Sequence, residues 1–339
     1  MKPLNKVITN KDTSFNPLWI MRQAGRYLPE YQKIRKTQKN FIDFCLNINA
    51  ATEVTLQPIR RYNFDAAIIF SDILVIPYGL GQDVKFEENK GPILGDFDLE
   101  NFKKIKEKQF IKKIKNVYLA IKKTRKTLSK EKTLIGFAGS PWTILVYIIN
   151  RQSPKKKQVY KKILKNKKQT KQLLSIIEKF IFIHIKEQIK AGADTIQLFD
   201  SWAGLLKEKD LNDFCFQPTK RIIKNIKRIY PSIPIICFPK GIGKNISKFC
   251  KIVKPDVLNI DSKINPDFVN KKINKNIVIQ GGLDPKSLLS KKETLKKKTH
   301  FYLKKFINRN YIFNLGHGVA KETKPEAVQR LVNIVRTFK

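Results

Sequence analysis

Two arginines four residues apart, Arg22 and Arg26, with Gln23, Ala24 and Gly25 between them, form the densest chemical signal in the chain. An arginine guanidinium is planar, permanently charged and forks onto a carboxylate or phosphate through paired hydrogen bonds, so this spacing suits an anionic ligand. Gly25 permits close backbone approach or a positive φ, and Pro29 stops a helix from running straight on. The competing reading is a surface turn with two solvated arginines. Further along, polar residues recur directly after short apolar runs: Asp72, Ser140 with Tyr147 beyond it, Ser201, Lys240, Asp261, Gly282 and His317. Asp72, Asp200 and Asp261 would serve equally as helix N-caps, as would Ser140, while Tyr147 could pack in a core. His317 lies between Gly316 and Gly318, where close backbone approach is the best reason for two glycines, so a ligand role is favoured. His184 falls on the apolar face of a helix and reads as packed, and His300 follows a lysine run and reads as exposed.

The elements that must position these groups are visible as a repeating unit. Asp65–Phe70, Thr133–Ala138, Asp194–Phe199, Ile233–Phe238, Asp256–Ile260, Asn276–Gln280 and Tyr311–Leu315 are seven short apolar runs, the look of strands buried on both faces. Between them lie stretches of helical period, such as Ile111, Ile114, Tyr118 and Ile121, then Leu173, Ile177, Phe180 and His184. Residues 31–62 read as helical, ending at Pro58. Alternating strands and helices imply parallel strands with right-handed crossovers. Seven repeats without a GxGxxG fingerprint favour a somewhat irregular α/β (β/α)8 TIM-type barrel over an open doubly wound sheet. A segment near Gln82–Phe86 is a candidate for the eighth strand. No Pro/Gly/Ser-rich linker divides the chain, so a single domain over residues 1–339 is expected. In a parallel barrel the chemistry sits at the C-terminal strand ends, where the polar residues above fall.

Composition bounds the partners. The formal net charge is +41, from 69 Lys plus Arg against 28 Asp plus Glu. Lysine dominates and clusters in stretches such as residues 155–171, and a hydrated point charge has no base-reading geometry. Solvated helix faces therefore explain the excess better than nucleic acid or a membrane surface does. A basic field would still speed the arrival of an anionic substrate, subject to screening by salt. Four scattered cysteines, Cys45, Cys215, Cys237 and Cys250, form no CxxC pair and no disulfide framework, which fits a reducing cytoplasm. The N-terminus lacks an apolar leader, and no run is long enough to span a bilayer. No His/Cys pair has metal-ligand spacing, and Phe238-Pro-Lys-Gly-Ile-Gly243 lacks the Walker pattern. These residues describe a barrel enzyme for an anionic substrate without naming its reaction.

Two long motifs, Pro17-Leu-Trp-Ile-Met-Arg-Gln-Ala-Gly-Arg26 and Gly136-Phe-Ala-Gly-Ser-Pro-Trp-Thr-Ile-Leu-Val-Tyr147, resemble the diagnostic segments of the uroporphyrinogen decarboxylase family. Phe70-Ser-Asp-Ile73, Leu198-Phe-Asp-Ser-Trp-Ala-Gly204, Phe238-Pro-Lys-Gly241, Gln280-Gly-Gly-Leu-Asp284 and Asn314-Leu-Gly-His-Gly318 are similar in order and content. The resemblance covers nearly the whole chain. It implies a cofactor-free (β/α)8 barrel, usually a homodimer, that serves porphyrin and haem biosynthesis. Such an enzyme removes carbon dioxide from the four acetate side chains of uroporphyrinogen III to give coproporphyrinogen III. By motif, Arg22 and Arg26 would hold substrate carboxylates, with Gln23, Ala24 and Gly25 lining the cleft. Asp72 would meet the pyrrole N–H groups, and Tyr147, Ser201 and His317 the remaining polar groups. Asp72 and Arg22 would be the catalytic pair, with Arg22 a candidate proton donor. After the histidine the family often carries prolines, whereas this chain reads Val319-Ala-Lys-Glu-Thr-Lys-Pro325-Glu326, the place where substrate contact would differ.

Two other readings compete. Corrinoid-dependent methyltransferases share the barrel and bind zinc through His-x-Cys and a later cysteine. Here Cys237 is matched by Ile235 where the histidine belongs, and no cysteine follows Cys250. A basic RNA- or anion-binding protein on a retired barrel would have lost Asp72 or the arginines, and both are present.

Overall fold

The computed structural model describes residues 2–12, 14–87, 90–154 and 159–338. Among the described residues nine strands are formed: β1 (Ala66–Ile68), β2 (Val84–Glu87), β3 (Gly91–Leu94), β4 (Thr133–Gly139), β5 (Thr195–Asp200), β6 (Ile235–Pro239), β7 (Val257–Ile260), β8 (Val278–Gly281) and β9 (Tyr311–Ile312). Seven build one sheet in the order β1-β4-β5-β6-β7-β8-β9, and every pairing in it is parallel. All seven expected strands are present. Their spatial order follows chain order without reversal, so the sheet winds in one direction and has no switch point of the doubly wound kind.

Both faces of the sheet are buried, which is why the strands read as apolar runs. Ala66, Ile68, Ile135, Ile236, Phe238, Val257, Val278 and Ile312 pack inward with Trp19 and Met21. Leu4, Val7 and Ile8 of the helix Pro3–Thr9 join the same cluster. Residues alternating with these, such as Ala67, Leu134, Cys237, Leu258 and Ile279, pack outward against the helices. The helix Glu107–Thr127 buries Ile114, Tyr118 and Ile121, and the helix Lys167–Lys190 buries Leu173, Ile177, Phe180 and His184. His184 accepts its place in the core: Nδ1 lies 3.2 Å from the Tyr118 hydroxyl, and burial pushes its pKa down to about 3. His300 is half-buried against Phe338, ring to ring at 5.2 Å, and not simply exposed.

Two expectations are corrected. Gln82–Phe86 is no barrel strand: Val84–Glu87 pairs antiparallel with β3 in a separate two-stranded hairpin. The region 31–62 is three helices, Pro29–Lys36, Phe41–Leu46 and Ile48–Tyr62, and the last runs through Pro58 to end at Asn63 in the left-handed region. Pro58 forfeits the bond to the Val54 carbonyl, but it is itself buried with Thr55, Leu56 and Tyr62, and that packing outweighs the lost bond.

The flank of β9 is occupied by the N-terminal segment. Phe313 N–H donates to the Pro17 carbonyl at 2.8 Å, and Leu18 bridges Phe313 in parallel sense. On its other side, the Leu18 carbonyl accepts Asp65 N–H at 2.9 Å, and Leu18 N–H donates to Asp65 Oδ2 at 2.7 Å. Residues 17–20 thus lie between β9 and the entrance to β1. Among the described residues, no helix is long and apolar enough to cross a membrane. Part of the lysine-rich stretch, residues 155–158, lies outside the described residues.

Candidate active site

The arginine segment leaves residues 17–20 at a sharp turn. Gln23 N–H donates to the Ile20 carbonyl at 3.1 Å, and Leu28 N–H to the Gly25 carbonyl at 3.0 Å. The turn needs one residue with positive φ, and that residue is Arg22 at 61°, not Gly25. An L-residue held in the left-handed region costs on the order of 1 kcal/mol and persists only where its surroundings impose it. They do so here. Met21 N–H donates to Asn314 Oδ1 at 3.0 Å, and the Met21 carbonyl accepts Val319 N–H at 3.0 Å, so the β9 end grips the backbone just before Arg22.

Gln23 and Arg22 point to different tasks. Gln23 is fully buried, its Oε1 accepting Ile20 N–H at 3.3 Å and its Nε2 donating to the Ala66 carbonyl at 3.1 Å. Its amide holds the turn on β1. The Tyr27 hydroxyl closes the turn from behind on the Gln23 carbonyl at 2.9 Å. Arg22 and Arg26 are exposed, and Ala24 and Gly25 are half-buried between them. The Arg22 side chain lies along Gly318: a Cβ at that glycine would stand 2.3 Å from Arg22 Cδ and 2.7 Å from Cγ. The close approach expected of the Gly-His-Gly sequence is therefore made to an arginine side chain, from the opposite end of the chain.

Around Arg22 three other predicted residues converge. Asp72 follows β1 by a few residues and caps the next turn, Oδ1 accepting Leu74 N–H at 2.8 Å. Its second oxygen has no hydrogen bond among the described residues. Part of its surface remains exposed, yet enough water is excluded that burial pushes the carboxyl up to about 6. The Leu74 bond and the charge of Arg22 oppose that rise without cancelling it. Tyr147, on the helix Pro141–Asn150, is half-buried, and burial raises its phenol; the charges of Asp72 and Arg22 both act on it. Its ring meets Trp202 edge-on at 6.2 Å. His317 is neutral, since burial first, then the charges of Lys240 and Arg22, push its pKa down to about 3. Its Nδ1 accepts Gly318 N–H at 2.6 Å, which assigns the ring proton to Nε2 as a donor.

Arg22, Asp72, Tyr147 and His317 are thus brought within one electrostatic neighbourhood. Ser201 is half-buried directly after β5, and its hydroxyl makes no hydrogen bond among the described residues. Asp200 and Asp261, which could have been simple caps, tie the strand-end loops together. Asp200 is buried, accepting from Thr143 Oγ1 at 2.6 Å and Cys215 Sγ at 3.2 Å, and burial pushes it up to about 6. Asp261 accepts Gly241 N–H and Lys263 N–H, both at 2.9 Å. Ser140 sits at an N-cap position without a side-chain cap bond. Beneath the mouth, a polar layer unread in the sequence crosses the interior. Trp19 Nε1 donates to Gln280 Oε1 at 3.0 Å, and Gln280 Nε2 donates to Asn259 Oδ1 at 2.6 Å and to Gln197 Oε1 at 3.2 Å. Gln280 followed by two glycines was its only trace, and the motif does not reveal its partners. The arrangement offers two exposed guanidiniums, one desolvated carboxylate with a free oxygen, and neutral donors from His317 and Tyr147. That set binds a polyanion whose centre carries N–H donors or positive charge.

The profile of the uroporphyrinogen decarboxylase family (URO-D) matches residues 1–338. The uroporphyrinogen decarboxylase of Rickettsia bellii (strain RML369-C) is 48% identical over 324 residues, covering 95% of this chain and 95% of its own. That of Rickettsia massiliae (strain Mtu5) is 45% identical over 339 residues, covering 100% of this chain and 97% of its own. Among solved structures, a methyltransferase from Methanosarcina mazei matches with a TM-score of 0.78 at 16% identity, over 98% of this chain and 97% of that one. A B12-independent methionine synthase from Shewanella sp. W3-18-1 matches with a TM-score of 0.53 at 11% identity, over 85% of each chain. At such identities these two are likenesses of fold alone.

Proposed function

Because this chain belongs to the uroporphyrinogen decarboxylase family, we propose that the mouth around Arg22 and Asp72 is where it works on its tetrapyrrole. The enzyme is a carboxy-lyase that decarboxylates uroporphyrinogen in haem biosynthesis. Its four acetate arms react in turn, giving coproporphyrinogen III from uroporphyrinogen III. The observation that carries the site assignment is the half-buried Asp72 carboxyl, raised to about 6, with one oxygen uncommitted beside Arg22.

The chemistry follows from the electron count. An acetate arm that loses carbon dioxide leaves an electron pair, and a pyrrole protonated on its ring carbon accepts it. The exocyclic methylene then takes a proton to become methyl, and the ring carbon gives its proton back. One proton is consumed for each carbon dioxide released, and the ring itself is the electron sink, so the chain's own residues suffice. Above pH 6 Asp72 is ionised at a desolvation cost, which is offset when pyrrole N–H groups donate to it. The attraction grows as the macrocycle becomes cationic, so the carboxylate favours the reaction path over the ground state. Arg22 and Arg26 hold peripheral carboxylates, and Arg22, whose charge acts on Asp72, is the candidate proton donor despite the high intrinsic pKa of a guanidinium. Ala24 and Gly25 line the turn, Gln23 positions it, and Tyr147, Ser201 and His317 complete the polar wall.

The same reading takes residues 1–339 as one barrel domain, with residues 17–20 as the eighth stave; the hydrogen bonds of Leu18 to both Phe313 and Asp65 support closure there. It further takes the enzyme as a homodimer in a reducing cytoplasm. The thiols of Cys45, Cys215, Cys237 and Cys250 are all free and buried, which accords with the latter. Sedimentation equilibrium at micromolar protein tests the dimer, and a monomer there refutes it. The function itself is tested by anaerobic incubation with uroporphyrinogen III and no added cofactor, followed by oxidation and chromatography. Stepwise hepta- to tetracarboxylate porphyrins are expected. A folded protein that yields none would overturn the assignment.

A further inference from the structure

We propose that Lys240 is a third cation on the substrate, holding a peripheral carboxylate between its ammonium and the Nε2–H of His317. The inference rests on the decarboxylase reading of the mouth and gives a role to a strand-end residue to which none was assigned above.

The backbone of Lys240 is pinned. It follows β6 directly, its N–H donates to the Asp200 carbonyl at 3.1 Å, and its carbonyl accepts Gly204 N–H at 3.0 Å. The side chain therefore leaves a rigid strand end, next to the mouth, and not a mobile loop. It is half-buried, and among the described residues no carboxylate lies within ion-pair distance of its ammonium. Asp261 is the nearest acidic influence, but both of its oxygens already accept backbone N–H groups, from Gly241 and Lys263. On the other side stand Arg22 and Lys263, whose charges add to the effect of burial and hold the Lys240 ammonium below its ordinary pKa. A long cationic side chain kept partly out of water, beside like charges and with Asp261 acting on it only from beyond ion-pair distance, is an unfavourable arrangement that a bound carboxylate relieves.

His317 locates the subsite. After burial, the charge of Lys240 acts on its ring more strongly than that of Arg22 does, so the ammonium is the dominant cation at that imidazole. The ring Nδ1 is occupied by Gly318 N–H, leaving Nε2–H as a donor. The His317 ring lies edge-on to Phe238 at 6.4 Å, two residues before Lys240, so both side chains stand at the end of β6, and an ammonium with a neutral N–H there presents donors only, the complement of a carboxylate. Uroporphyrinogen carries eight carboxylates, more than Arg22 and Arg26 can engage.

The test uses the full-length enzyme with Lys240→Met and Lys240→Arg, each checked by thermal melting, in anaerobic steady-state assays with uroporphyrinogen III. Lys240→Met is expected to raise KM about tenfold, with kcat changed less than about threefold, the loss of one charged contact. Lys240→Arg keeps the charge and the reach, so KM should return to within about threefold of the parent enzyme. A KM within about twofold of the parent in Lys240→Met overturns the proposal. So does a Lys240→Arg variant whose kcat collapses while KM holds, since that points to proton donation. Binding of uroporphyrin, the stable oxidised octacarboxylate, is measured in parallel by fluorescence titration, with an affinity loss of about tenfold expected for Lys240→Met. If the parent enzyme releases no carbon dioxide yet binds uroporphyrin, the decarboxylase reading fails while this titration still decides the carboxylate contact.

Discussion

Substituting Gly318 by alanine isolates the placement of Arg22 from its chemistry. The added Cβ would stand 2.3 Å from Arg22 Cδ, 2.7 Å from Cγ and 2.9 Å from Nε. Non-bonded carbons rest at about 3.5–4.0 Å, so the arginine stem must retreat by more than about 1 Å. The backbone should tolerate the change, because Gly318 lies outside the left-handed region and the colliding atoms belong to an exposed, flexible side chain. Displacement of a positioning group by about 1 Å costs on the order of a hundredfold in rate, close to 3 kcal/mol of transition-state stabilisation. We therefore expect kcat/KM for uroporphyrinogen III to fall about a hundredfold while Tm stays within roughly 2 °C of the parent. A double-mutant cycle supplies the refutation. In an Arg22→Ala background the methyl group has nothing to strike, so Gly318→Ala should add almost nothing there. If it costs as much without Arg22 as with it, the steric argument is wrong. Unchanged kcat/KM in the single variant would show that the position of Arg22 does not matter.

Asp72→Asn should lower kcat by several orders of magnitude yet stabilise the fold at neutral pH. The native carboxyl is raised from 3.8 to about 6, so its ionised form weakens folding above that value, by up to about 3 kcal/mol, and the penalty vanishes below pH 3.8. Melting curves from pH 8 down to pH 4.5 should show the advantage of asparagine shrinking as pH falls, and a constant gap would count against the raised pKa. For the same reason kcat/KM of the parent enzyme should drop with unit slope below about pH 6, and this limb should persist in His317→Gln, because His317 titrates near 3. Loss of the limb in that variant would move the titration to the histidine. Gln23→Met leaves Ile20 N–H and the Ala66 carbonyl buried without their partner, so urea denaturation should show a loss of about 2–4 kcal/mol. A loss below about 1 kcal/mol would mean that the amide does not hold the turn.

The seven strands were legible because a strand buried on both faces must be apolar throughout, and the polar residues after them stood out by contrast. The place of residues 17–20 beside β9 was not, because one isolated bridge to Phe313 and two hydrogen bonds to Asp65 hold them, and the arginines that follow dominated the segment. Gln82–Phe86 has the strand composition, but it pairs only with its neighbour in sequence, a partnership composition does not distinguish from entry to the main sheet. Gly25 drew attention as the flexible residue of the turn, yet the positive φ falls on Arg22, since it is Asn314 and Val319 that impose the conformation and they lie far off in the chain. The polar residues that gather around Arg22 were readable where they followed a strand, as Asp72 and His317 do. The holding role of Gln23 was not legible, because its two partners, Ile20 N–H and the Ala66 carbonyl, are backbone groups that no side-chain motif announces.

The grip of Asn314 on Met21 has a consequence for synthesis. The two residues are 293 positions apart, and Pro17 and Leu18 likewise wait for Phe313. A ribosome makes the arginine segment almost first, but the surfaces that shape it leave the exit tunnel almost last. Until then the segment has only its bonds to Asp65 and Ala66, and a prematurely terminated product, even one lacking only the last few dozen residues, carries Arg22, Arg26 and Asp72 without the grip that shapes the turn. Competence for catalysis is thus acquired in one late step, so truncated fragments should not compete with finished enzyme for a scarce and oxidisable substrate.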